Sequence, residues 1–390
     1  MRDRFALALG LVVACAPRAS APEAIRVTDR VTPDPDVRDL SAELEPIRVS
    51  GKLPALAAAA FRGDALLAIG AVGFQREGSD ARVTRDARWH IGSDTKAMTA
   101  VLVAMQIDRG ALHFEDTLAS LFPDLAIDAA LKPVTVEQLL EHRGGLAAAL
   151  PKEVLVQMWS EAEDPASRAH AVAAILATPP ARAVGTFEYS NSSYVVLGAI
   201  LERITKKTWE DLIREDLFAK LGMTHCGFGA PSEPDAPWGH RRDGERLVPV
   251  SPEAIASDNP PALGPAGRVH CTLADWGKFL AVILAGARGD VARSQGNPIA
   301  SSATMKRLLT PPAGASANER YAGGWSFTER GWGGGTVLTH SGSNTMWLAT
   351  AWLAPEKNLA FVAATNVFAP KELDAAFGAM VNAYAKEPAK

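Results

Sequence analysis

The chain has 390 residues, with 40 basic and 44 acidic side chains and a formal net charge of −4 at pH 7. This charge excludes the basic excess on which nucleic-acid binding relies, so we expect no nucleic-acid partner. Hydrophobic residues make up 47% and charged residues 22% of the sequence, which excludes bulk disorder and provides for a large core. The three cysteines show no CxxC spacing, which argues against a disulfide scaffold and against a thiolate zinc site.

The amino terminus has the composition of an export signal. Residues 5–14 are apolar and follow Arg2 and Arg4, and the run is about half as long as a membrane-spanning helix. We expect an exported protein that faces the periplasm or the cell exterior, with a cytoplasmic protein as the alternative. Export permits a disulfide between Cys226 and Cys271, because the compartment is oxidising, and two separate buried thiols are the alternative.

The end of this apolar run resembles a bacterial lipobox. Residues 12–15 read VVAC, and the cysteine of such a box is lipid-modified after cleavage, so Cys15 is the expected lipid attachment point. The alternative is cleavage after Ala21 by ordinary signal peptidase, which leaves a soluble secreted protein. We therefore expect residues 1–21 to be a signal or lipoprotein segment, with membrane contact through a lipid anchor only.

The next part of the chain changes from an irregular segment to strands. Residues 22–50 are rich in Pro, Ala and charge without a sustained period, which predicts a tether and a poorly defined lead-in. Residues 56–61 and 65–74 are apolar runs on either side of the sequence RGD at 62–64, a combination typical of an antiparallel hairpin.

From residue 93 the apolar spacing becomes helical, and it predicts a buried helix. Residues 116–289 combine helical stretches with Pro- and Gly-rich loops, so we expect a mainly helical region there. Residues 347–353 and 359–365 predict a second hairpin, and the amphipathic spacing of residues 373–384 predicts a closing helix.

These elements predict the α+β class. Strands near both chain ends and helices between them imply one antiparallel sheet assembled from distant segments, flanked by helices and with the helical region inserted. We expect a single domain over residues 51–386, whose α/β part consists of residues 51–115 and 290–386.

Several common catalytic motifs are missing from the sequence. It contains no G-x-S-x-G, no Walker loop, no G-x-G-x-x-G after a strand and no H-E-x-x-H. The eight histidines show no paired metal spacing, which disfavours a histidine-rich zinc hydrolase.

Ser93 and Lys96 form an S-x-x-K motif, which is weak evidence alone but opens the buried helix. There the hydroxyl lies near unpaired amide donors, and both side chains share one helix face. Desolvation would lower the pKa of the lysine and make its neutral amine available as a base. The alternative is a helix-capping serine with a lysine that extends to solvent.

Tyr189 and Asn191 form a Y-x-N motif in a polar turn before a predicted helix. Because the chain has only four tyrosines, a chance match is much rarer than for S-x-x-K. A phenol whose pKa is lowered by a neighbouring cation can relay a proton, and a carboxamide can hold a substrate amide and orient the lysine. The alternative is a turn in which Asn191 caps the following helix.

His340, Gly342 and Ser343 lie just before the predicted strand at 347–353. A glycine at a strand rim lets a substrate approach the backbone closely, and the next amide can serve as an oxyanion donor. By itself the H-S-G triplet favours a structural histidine held by hydrogen bonds.

In this order, the S-x-x-K, Y-x-N and H-S-G motifs resemble the serine beta-lactamase and penicillin-binding-protein superfamily. The likeness is greatest to the class C beta-lactamase-related branch, which includes D-alanyl-D-alanine carboxypeptidases, D-aminopeptidases and family VIII esterases. The resemblance covers residues 50–385 and implies a beta-lactamase/transpeptidase-like fold. Further segments typical of the family are residues 91–96, 139–146, 217–223, 265–267 and 309–312.

The resemblance also implies a mechanism. An acyl-enzyme forms on Ser93, and Lys96 and Tyr189 share the proton of its hydroxyl and pass it to the leaving group. Water then deacylates the enzyme, and neither a metal ion nor an organic cofactor is required.

The resemblance further assigns the substrate-binding groups. Asn191 is expected to bind the acyl-side amide of the substrate, and His340, Gly342 and Ser343 to line the site beside it. The backbone amides of Ser93 and Ser343 are expected to hold the oxyanion.

The third motif departs from the pattern of most class C beta-lactamases, which carry Lys-Thr-Gly where this chain has HSG at 340–342. Lysine is a permanent charge suited to a substrate carboxylate, whereas histidine is largely neutral at pH 7. We expect a serine hydrolase that acts on a D-amino-acid peptide, amide or ester, and weakly on beta-lactams. The alternatives are a beta-lactamase proper and, from another class, a non-catalytic sensor that binds cell-wall peptide or a protein partner.

Overall fold

A computed structural model describes residues 36–162, 164, 166–291, 293–294 and 297–386. The expected signal or lipoprotein segment, with Cys15, lies outside the described residues.

An eight-stranded sheet forms the centre of the fold and takes its strands from both ends of the chain. The edge strand Arg38–Asp39 is parallel to its neighbour, and all other adjacent strands are antiparallel. The predicted α+β class is therefore confirmed. In sheet order the strands are Arg38–Asp39, Ala65–Gly73, Ala55–Arg62, Leu359–Thr365, Leu348–Ala354, Gly335–Gly342, Trp325–Arg330 and Tyr321–Ala322.

Both predicted hairpins are present. Ala55–Arg62 pairs with Ala65–Gly73, and Leu348–Ala354 pairs with Leu359–Thr365. The second hairpin turns at Asn358, whose φ of 52° lies in the left-handed region that asparagine tolerates. The inner strands of the two hairpins also pair with each other, which joins the two ends of the chain in one sheet.

Helices cover the sheet and occupy much of the middle of the chain. Within the described part of the chain, no helix has both the length and the apolar character needed to cross a bilayer. The α-helices are Ser41–Ser50, Thr95–Asp108, Leu118–Leu121, Val136–Leu140, Lys152–Ser160, Ser167–Ala177, Asn191–Thr205, Trp209–Ile213, Ala219–Leu221, Gly264–Gly267, Leu273–Ala287, Ser302–Leu308 and Pro370–Met380. Arg214–Phe218 and Val381–Ala385 are π-helical turns that continue two of them.

Secondary structure is present before residue 51, where the sequence predicts that the domain begins. The last part of the expected lead-in is the helix Ser41–Ser50, which buries Leu44 and has Pro46 inside it. A proline in so short a helix interrupts the apolar period, which explains why the pattern does not reveal it.

The middle of the chain is less purely helical than expected. A three-stranded sheet joins Arg88–His90, Val269–Thr272 and Cys226–Phe228, and Gly239–Asp243 pairs with Arg246–Val250. These strands have three to five residues, which is too short for an alternating pattern to stand out.

Cys226 and Cys271 are paired residues of the small sheet and form a disulfide. Of the two possibilities left open by the sequence, the pair is therefore the correct one. The same sheet reaches the S-x-x-K segment, because the amide of Ile91 donates to the carbonyl of Val269 at 3.0 Å.

The helix Thr95–Asp108 is the buried helix that the sequence predicts. Residues 95–106 are all buried, so this helix is enclosed on every side over most of its length. The 3-10 turn Gly92–Asp94, directly before this helix, lies against the end of Gly335–Gly342, where the Cα atom of Gly342 approaches the backbone of Gly92. The fold thus brings segments about 250 residues apart in the sequence to one edge of the sheet.

Candidate active site

Ser93 lies in a 3-10 turn, Gly92–Asp94, directly before the helix Thr95–Asp108. No side chain caps either element, so the capping alternative for Ser93 is wrong. Its hydroxyl oxygen instead lies within hydrogen-bond distance of Lys96 Nζ, at 3.1 Å.

Lys96 is fully buried, which rules out the alternative of a lysine that extends to solvent. Its Nζ lies 2.7 Å from Asn191 Oδ1 and 2.6 Å from the carbonyl oxygen of Ala266. Burial lowers the pKa of Lys96 well below its ordinary value, and the nearby carboxyl of Asp94 opposes that shift only in part. The amine is therefore available in its neutral form.

The three oxygens around Nζ fix the direction of its lone pair. A neutral amine has two hydrogens, and the oxygens of Asn191 and Ala266 can only accept them. The lone pair then faces Ser93, whose hydroxyl is the one group of the three that can donate a proton. This arrangement makes Lys96 a base directed at Ser93.

Asn191 is the first residue of the helix Asn191–Thr205, and Ser190 is the residue that caps it. The Ser190 hydroxyl accepts from the amide of Ser193 at 3.2 Å, so the alternative of a capping Asn191 is wrong. The Asn191 carboxamide instead accepts a hydrogen bond from Lys96 through its Oδ1 atom.

Tyr189 hydrogen-bonds to Ser93, but its acidity differs from the sequence-based expectation. Burial raises the pKa of Tyr189 above its ordinary value, although the hydrogen bond with Ser93 acts in the opposite direction. The expectation of a lowered phenol pKa is wrong because Lys96, whose Nζ lies 4.9 Å from the ring centre, is itself kept neutral by burial. Tyr189 is thus a proton donor in the resting site.

His142 was not recognised as a site residue from the sequence, and it holds the Y-x-N turn in place. Its Nδ1 accepts from the amide of Ser190 at 3.1 Å, and its carbonyl oxygen accepts from the amide of Glu188 at 2.9 Å. These two contacts flank Tyr189, and the rings of His142 and Tyr189 lie 4.5 Å apart between centres. Burial lowers the pKa of His142 well below its ordinary value, so it acts as a neutral acceptor.

Tyr321 is the second residue that sequence reasoning missed. Its hydroxyl lies 3.1 Å from His340 Nε2, and it is fully enclosed among the rings of the site. A signal was available, because three of the chain's four tyrosines, at 189, 194 and 321, surround this site. Tyr321 is far in sequence from the other two, so only the fold brings the three rings together.

His340 faces the site from the strand Gly335–Gly342. Burial lowers the pKa of His340 to about 3, and the nearby Lys96 contributes to the shift. At neutral pH the third motif therefore offers a hydrogen bond and no positive charge.

Gly342 allows the closest backbone approach in the site. A Cβ atom on Gly342 would lie 1.9 Å from the carbonyl oxygen of Ile91 and 2.5 Å from the amide nitrogen of Ser93. A Cβ atom on Gly92 would lie 2.4 Å from the amide nitrogen of Ser343. The amides of Ser93 and Ser343 are thus neighbours at the contact of the two segments, as an oxyanion hole requires.

Five of the predicted site residues line one cavity of about 550 Å³, namely Ser93, Tyr189, Asn191, His340 and Ser343, and Lys96 and Gly342 are not part of its lining. The cavity has room for a small molecule or a peptide end. A larger cavity of about 850 Å³ contains none of the motif residues. The lining of the smaller one is Ser93, Phe187, Tyr189, Asn191, Tyr321, Ser326, Thr339, His340, Ser341 and Ser343.

A candidate cation-binding group of Glu161, Asp164 and His170 also occurs within the described residues. It is partly exposed and shares no residue with the Ser93 cavity, so it has no place in the chemistry of that site.

Comparisons with known proteins show the family of the chain. A family model described as beta-lactamase matches residues 34–385. Penicillin-binding protein 4 of Amycolatopsis lactamdurans is 29% identical over 275 residues, which are 69% of this chain and 67% of that protein. Protein flp of Staphylococcus aureus (strain COL) is 26% identical over 195 residues, or 49% of this chain. The match covers 38% of flp, so this chain corresponds to less than half of that relative.

Solved structures show the same fold at lower identity. A class C beta-lactamase from Rhodobacter sphaeroides has a TM-score of 0.69 and 18% identity, with 88% of this chain and 97% of that chain covered. A penicillin-binding protein homologue from Pyrococcus abyssi, described as octameric, has a TM-score of 0.68 and 19% identity, with 89% and 77% covered. Since the family model spans nearly the whole of the described structure, the protein belongs to the beta-lactamase family, within a superfamily of serine hydrolases.

Proposed function

We propose that the protein hydrolyses a D-amino-acid peptide, amide or ester through an acyl-enzyme on Ser93, with weak turnover of beta-lactams. The observation that carries the proposal is the surrounding of Lys96 Nζ, whose two acceptor-only neighbours direct its lone pair at the Ser93 hydroxyl. A buried neutral lysine with this orientation is costly to maintain, and general-base chemistry is the use that accounts for it.

The proposed acylation forms one ester bond to Ser93 Oγ, breaks the bond between the carbonyl carbon and the leaving group, and moves one proton net from Ser93 to the leaving group. Lys96 takes the hydroxyl proton as Ser93 Oγ attacks the substrate carbonyl, and the oxyanion accepts from the amides of Ser93 and Ser343. Tyr189 donates its phenolic proton to the leaving group and recovers a proton from Lys96. The carbonyl then reforms as the leaving group departs.

Deacylation reverses these roles with water as the nucleophile. Water loses one proton to Lys96 through Tyr189 and attacks the ester carbonyl, and Ser93 Oγ recovers a proton as the acid product leaves.

The neutral His340 supports substrates other than typical beta-lactam antibiotics. A carboxylate that enters the cavity meets hydroxyl groups on Ser326, Thr339 and Ser341, but no fixed cation on the third motif. Hydrogen bonds to neutral partners are weaker than charge-assisted ones. Compared with a site that carries lysine at this position, carboxylate-bearing substrates therefore lose more binding free energy here than neutral esters and amides do.

We also propose that the protein is exported and lipid-anchored through Cys15. The disulfide between Cys226 and Cys271 supports export, because such bonds persist in oxidising compartments. Labelling of the full chain with a radioactive fatty acid in cells should be lost in Cys15→Ala, and unchanged labelling would contradict the anchor.

The functional proposal is tested by comparing rates on three substrates: p-nitrophenyl butyrate, a D-Ala-D-Ala peptide and the cephalosporin nitrocefin. We expect turnover of the ester or the peptide, with nitrocefin slower, and no turnover of any substrate above background in Ser93→Ala. A faster rate on nitrocefin than on the other two would identify a beta-lactamase proper. Absence of turnover and of labelling by a fluorescent penicillin would favour the non-catalytic sensor.

Substrate preference should change when a charge is restored to the third motif. His340→Lys should raise the rate on the carboxylate-bearing peptide relative to the neutral ester about tenfold, because the new ammonium makes a charge-assisted contact with the carboxylate. The control is Thr336→Lys, on the same strand but outside the cavity lining, which should leave the ratio unchanged. Equal ratios in wild type and His340→Lys would show that position 340 does not select the substrate.

A further inference from the structure

A buried carboxylate outside every motif contacts both segments that form the oxyanion hole. Asp258 is 6% exposed and does not line the Ser93 cavity. Its neighbours in space are His90, on the nucleophile side, and Asn344, on the side of the third motif. A charged group in such a position requires an explanation, because burying a carboxylate is costly unless it is fully partnered.

The first contact leads to the nucleophile turn. His90 has no exposed surface, and its Nδ1 accepts from the amide of Gly92 at 3.1 Å. An acceptor nitrogen carries no proton, so the ring proton is on Nε2, which lies 2.9 Å from Asp258 Oδ1. The carboxylate therefore faces the protonated nitrogen of the ring that holds Gly92, the residue before Ser93.

The second contact leads to the other amide of the oxyanion hole. Asn344 Nδ2 donates to Asp258 Oδ1 at 2.9 Å, and Asn344 directly follows Ser343. The other end of the Asn344 carboxamide accepts from the amide of Met346 at 3.3 Å, which closes the turn after Ser343. One carboxylate oxygen is thus shared by the two halves of the site.

The remaining oxygen of Asp258 faces Arg268, whose Nε lies 3.4 Å from Oδ2. Burial opposes ionisation of Asp258, but His90, Arg268 and Asn344 outweigh it and hold the pKa of the carboxyl below its usual value. Asp258 is therefore charged at neutral pH. Arg268 follows Gly267, and a Cβ atom on Gly267 would lie 3.4 Å from the carbonyl carbon of Gly92. The third partner of Asp258 is therefore also next to the nucleophile turn.

We infer that Asp258 is a positioning residue of the active site, which fixes the spacing of the Ser93 and Ser343 amides through His90 on one side and Asn344 on the other. The inference rests on the proposed function, since it assigns a role in holding the oxyanion that forms during acylation. Amide donors misplaced by a fraction of an ångström stabilise the tetrahedral intermediate less, whereas binding of the ground-state substrate changes little.

The test compares kcat, KM and boronate binding in wild type and Asp258→Ala. Phenylboronic acid forms a tetrahedral adduct with an active-site serine, so its inhibition constant reports on the oxyanion hole independently of leaving-group chemistry. We expect about a 10- to 100-fold loss in kcat for p-nitrophenyl butyrate per fluorophosphonate-titrated site, a similar rise in the phenylboronic acid inhibition constant and little change in KM. Asp258→Asn should recover most of the loss, because its amide oxygen can replace Oδ1.

The matched control is Asp275→Ala. Asp275 is also a buried carboxylate with several partners, including the amide of His225 at 2.7 Å and Lys278 Nζ at 2.6 Å, but it contacts no residue of the site. It should lower thermal stability without changing boronate inhibition. If Asp258→Ala behaves like this control, with kcat per titrated site and boronate inhibition both unchanged, Asp258 is only structural and the inference is overturned.

A second variant keeps the test decisive if Asp258→Ala does not fold. Asn344→Ala removes the contact between Asn344 and Asp258 and leaves His90 and its contacts with Asp258 and Gly92 intact. It should also weaken boronate inhibition. In a folded double variant the losses should be less than additive, because both changes act through one carboxylate; additive losses would contradict the shared role. A wild type that neither turns over the ester nor binds phenylboronic acid would instead defeat the proposed function, and the inference with it.

Discussion

Replacement of Lys96 by methionine is expected to lower turnover by about 1,000-fold while making the fold more stable. The variant loses the base that faces Ser93, and loss of a general base costs about 100- to 10,000-fold in rate, so we expect kcat/KM for p-nitrophenyl butyrate to fall by about 1,000-fold. Methionine has a similar volume and a side chain that does not ionise, so the buried helix should fold as in the wild type.

The stability gain has a definite dependence on pH. Burial lowers the pKa of Lys96 in the folded state, so the unfolded chain binds one more proton than the folded chain at neutral pH. The wild type therefore gains stability as pH rises toward the ordinary pKa of lysine, and Lys96→Met lacks this dependence. We expect the variant to exceed the wild type by about 1–4 kcal/mol in free energy of unfolding at pH 7, with the difference shrinking at higher pH.

The control for this prediction is Lys306→Met, which removes an exposed lysine from the helix Ser302–Leu308. It should leave both kcat/KM and the pH dependence of unfolding unchanged. Urea unfolding followed by circular dichroism at several pH values measures the stability, and a spectrophotometric ester assay measures the rate. Retained turnover in Lys96→Met would remove Lys96 from the mechanism.

Gly342→Ala is expected to produce the second large loss. The added Cβ would lie 1.9 Å from the Ile91 carbonyl oxygen and 2.5 Å from the Ser93 amide nitrogen, and both are backbone atoms that no rotamer change can move away. The strand carrying Gly342 must separate from the nucleophile turn, which separates the Ser93 and Ser343 amides. A displacement of about 1 Å costs about 100-fold in rate, so we expect at least that loss in kcat/KM.

The matched control is Gly331→Ala, because a Cβ at Gly331 meets no atom within 4 Å. The two substitutions add the same methyl group, so a difference between them reports the contact and not the change in backbone entropy. Ester turnover and melting temperature should both fall in Gly342→Ala and stay near the wild-type values in Gly331→Ala. Wild-type turnover in Gly342→Ala would show that the close approach does not shape the site.

Much of the fold is predictable because its long elements have strong local patterns. The hairpin of Ala55–Arg62 with Ala65–Gly73 and the helix Thr95–Asp108 are both visible as apolar runs or helical spacing. The helix Ser41–Ser50, interrupted by Pro46, and the three-residue strand Cys226–Phe228 lack such patterns. Their structure comes from tertiary packing, which the local sequence does not record.

The residues of the candidate site also fall into those that a local pattern predicts and those that it does not. Ser93, Lys96 and Asn191 belong to short motifs with a chemical reason for their spacing, and the structure brings them within hydrogen-bond distance. Tyr321 belongs to no such motif, and His142 lies in the family-like segment 139–146, to which the sequence assigns no role in the site. Both join the site only through the fold. Their roles follow from burial and from ring contacts, neither of which the sequence displays.

The acidity of the site residues is the other feature that required the structure. The sequence suggests that a cation would lower the pKa of Tyr189, whereas burial of the whole site keeps Lys96 neutral and raises the pKa of the phenol. The direction of each shift depends on desolvation, which is a property of the packed site and not of the motif.

The central claim is the acyl-enzyme on Ser93, and mass spectrometry of the protein mixed with p-nitrophenyl butyrate and quenched in acid tests it most directly. The account predicts a transient increase in mass by one butyryl group, located by proteolysis on the peptide that contains Ser93 and absent from Ser93→Ala. Turnover of the ester with an adduct on another residue, or with an equal rate in Ser93→Ala, would contradict it.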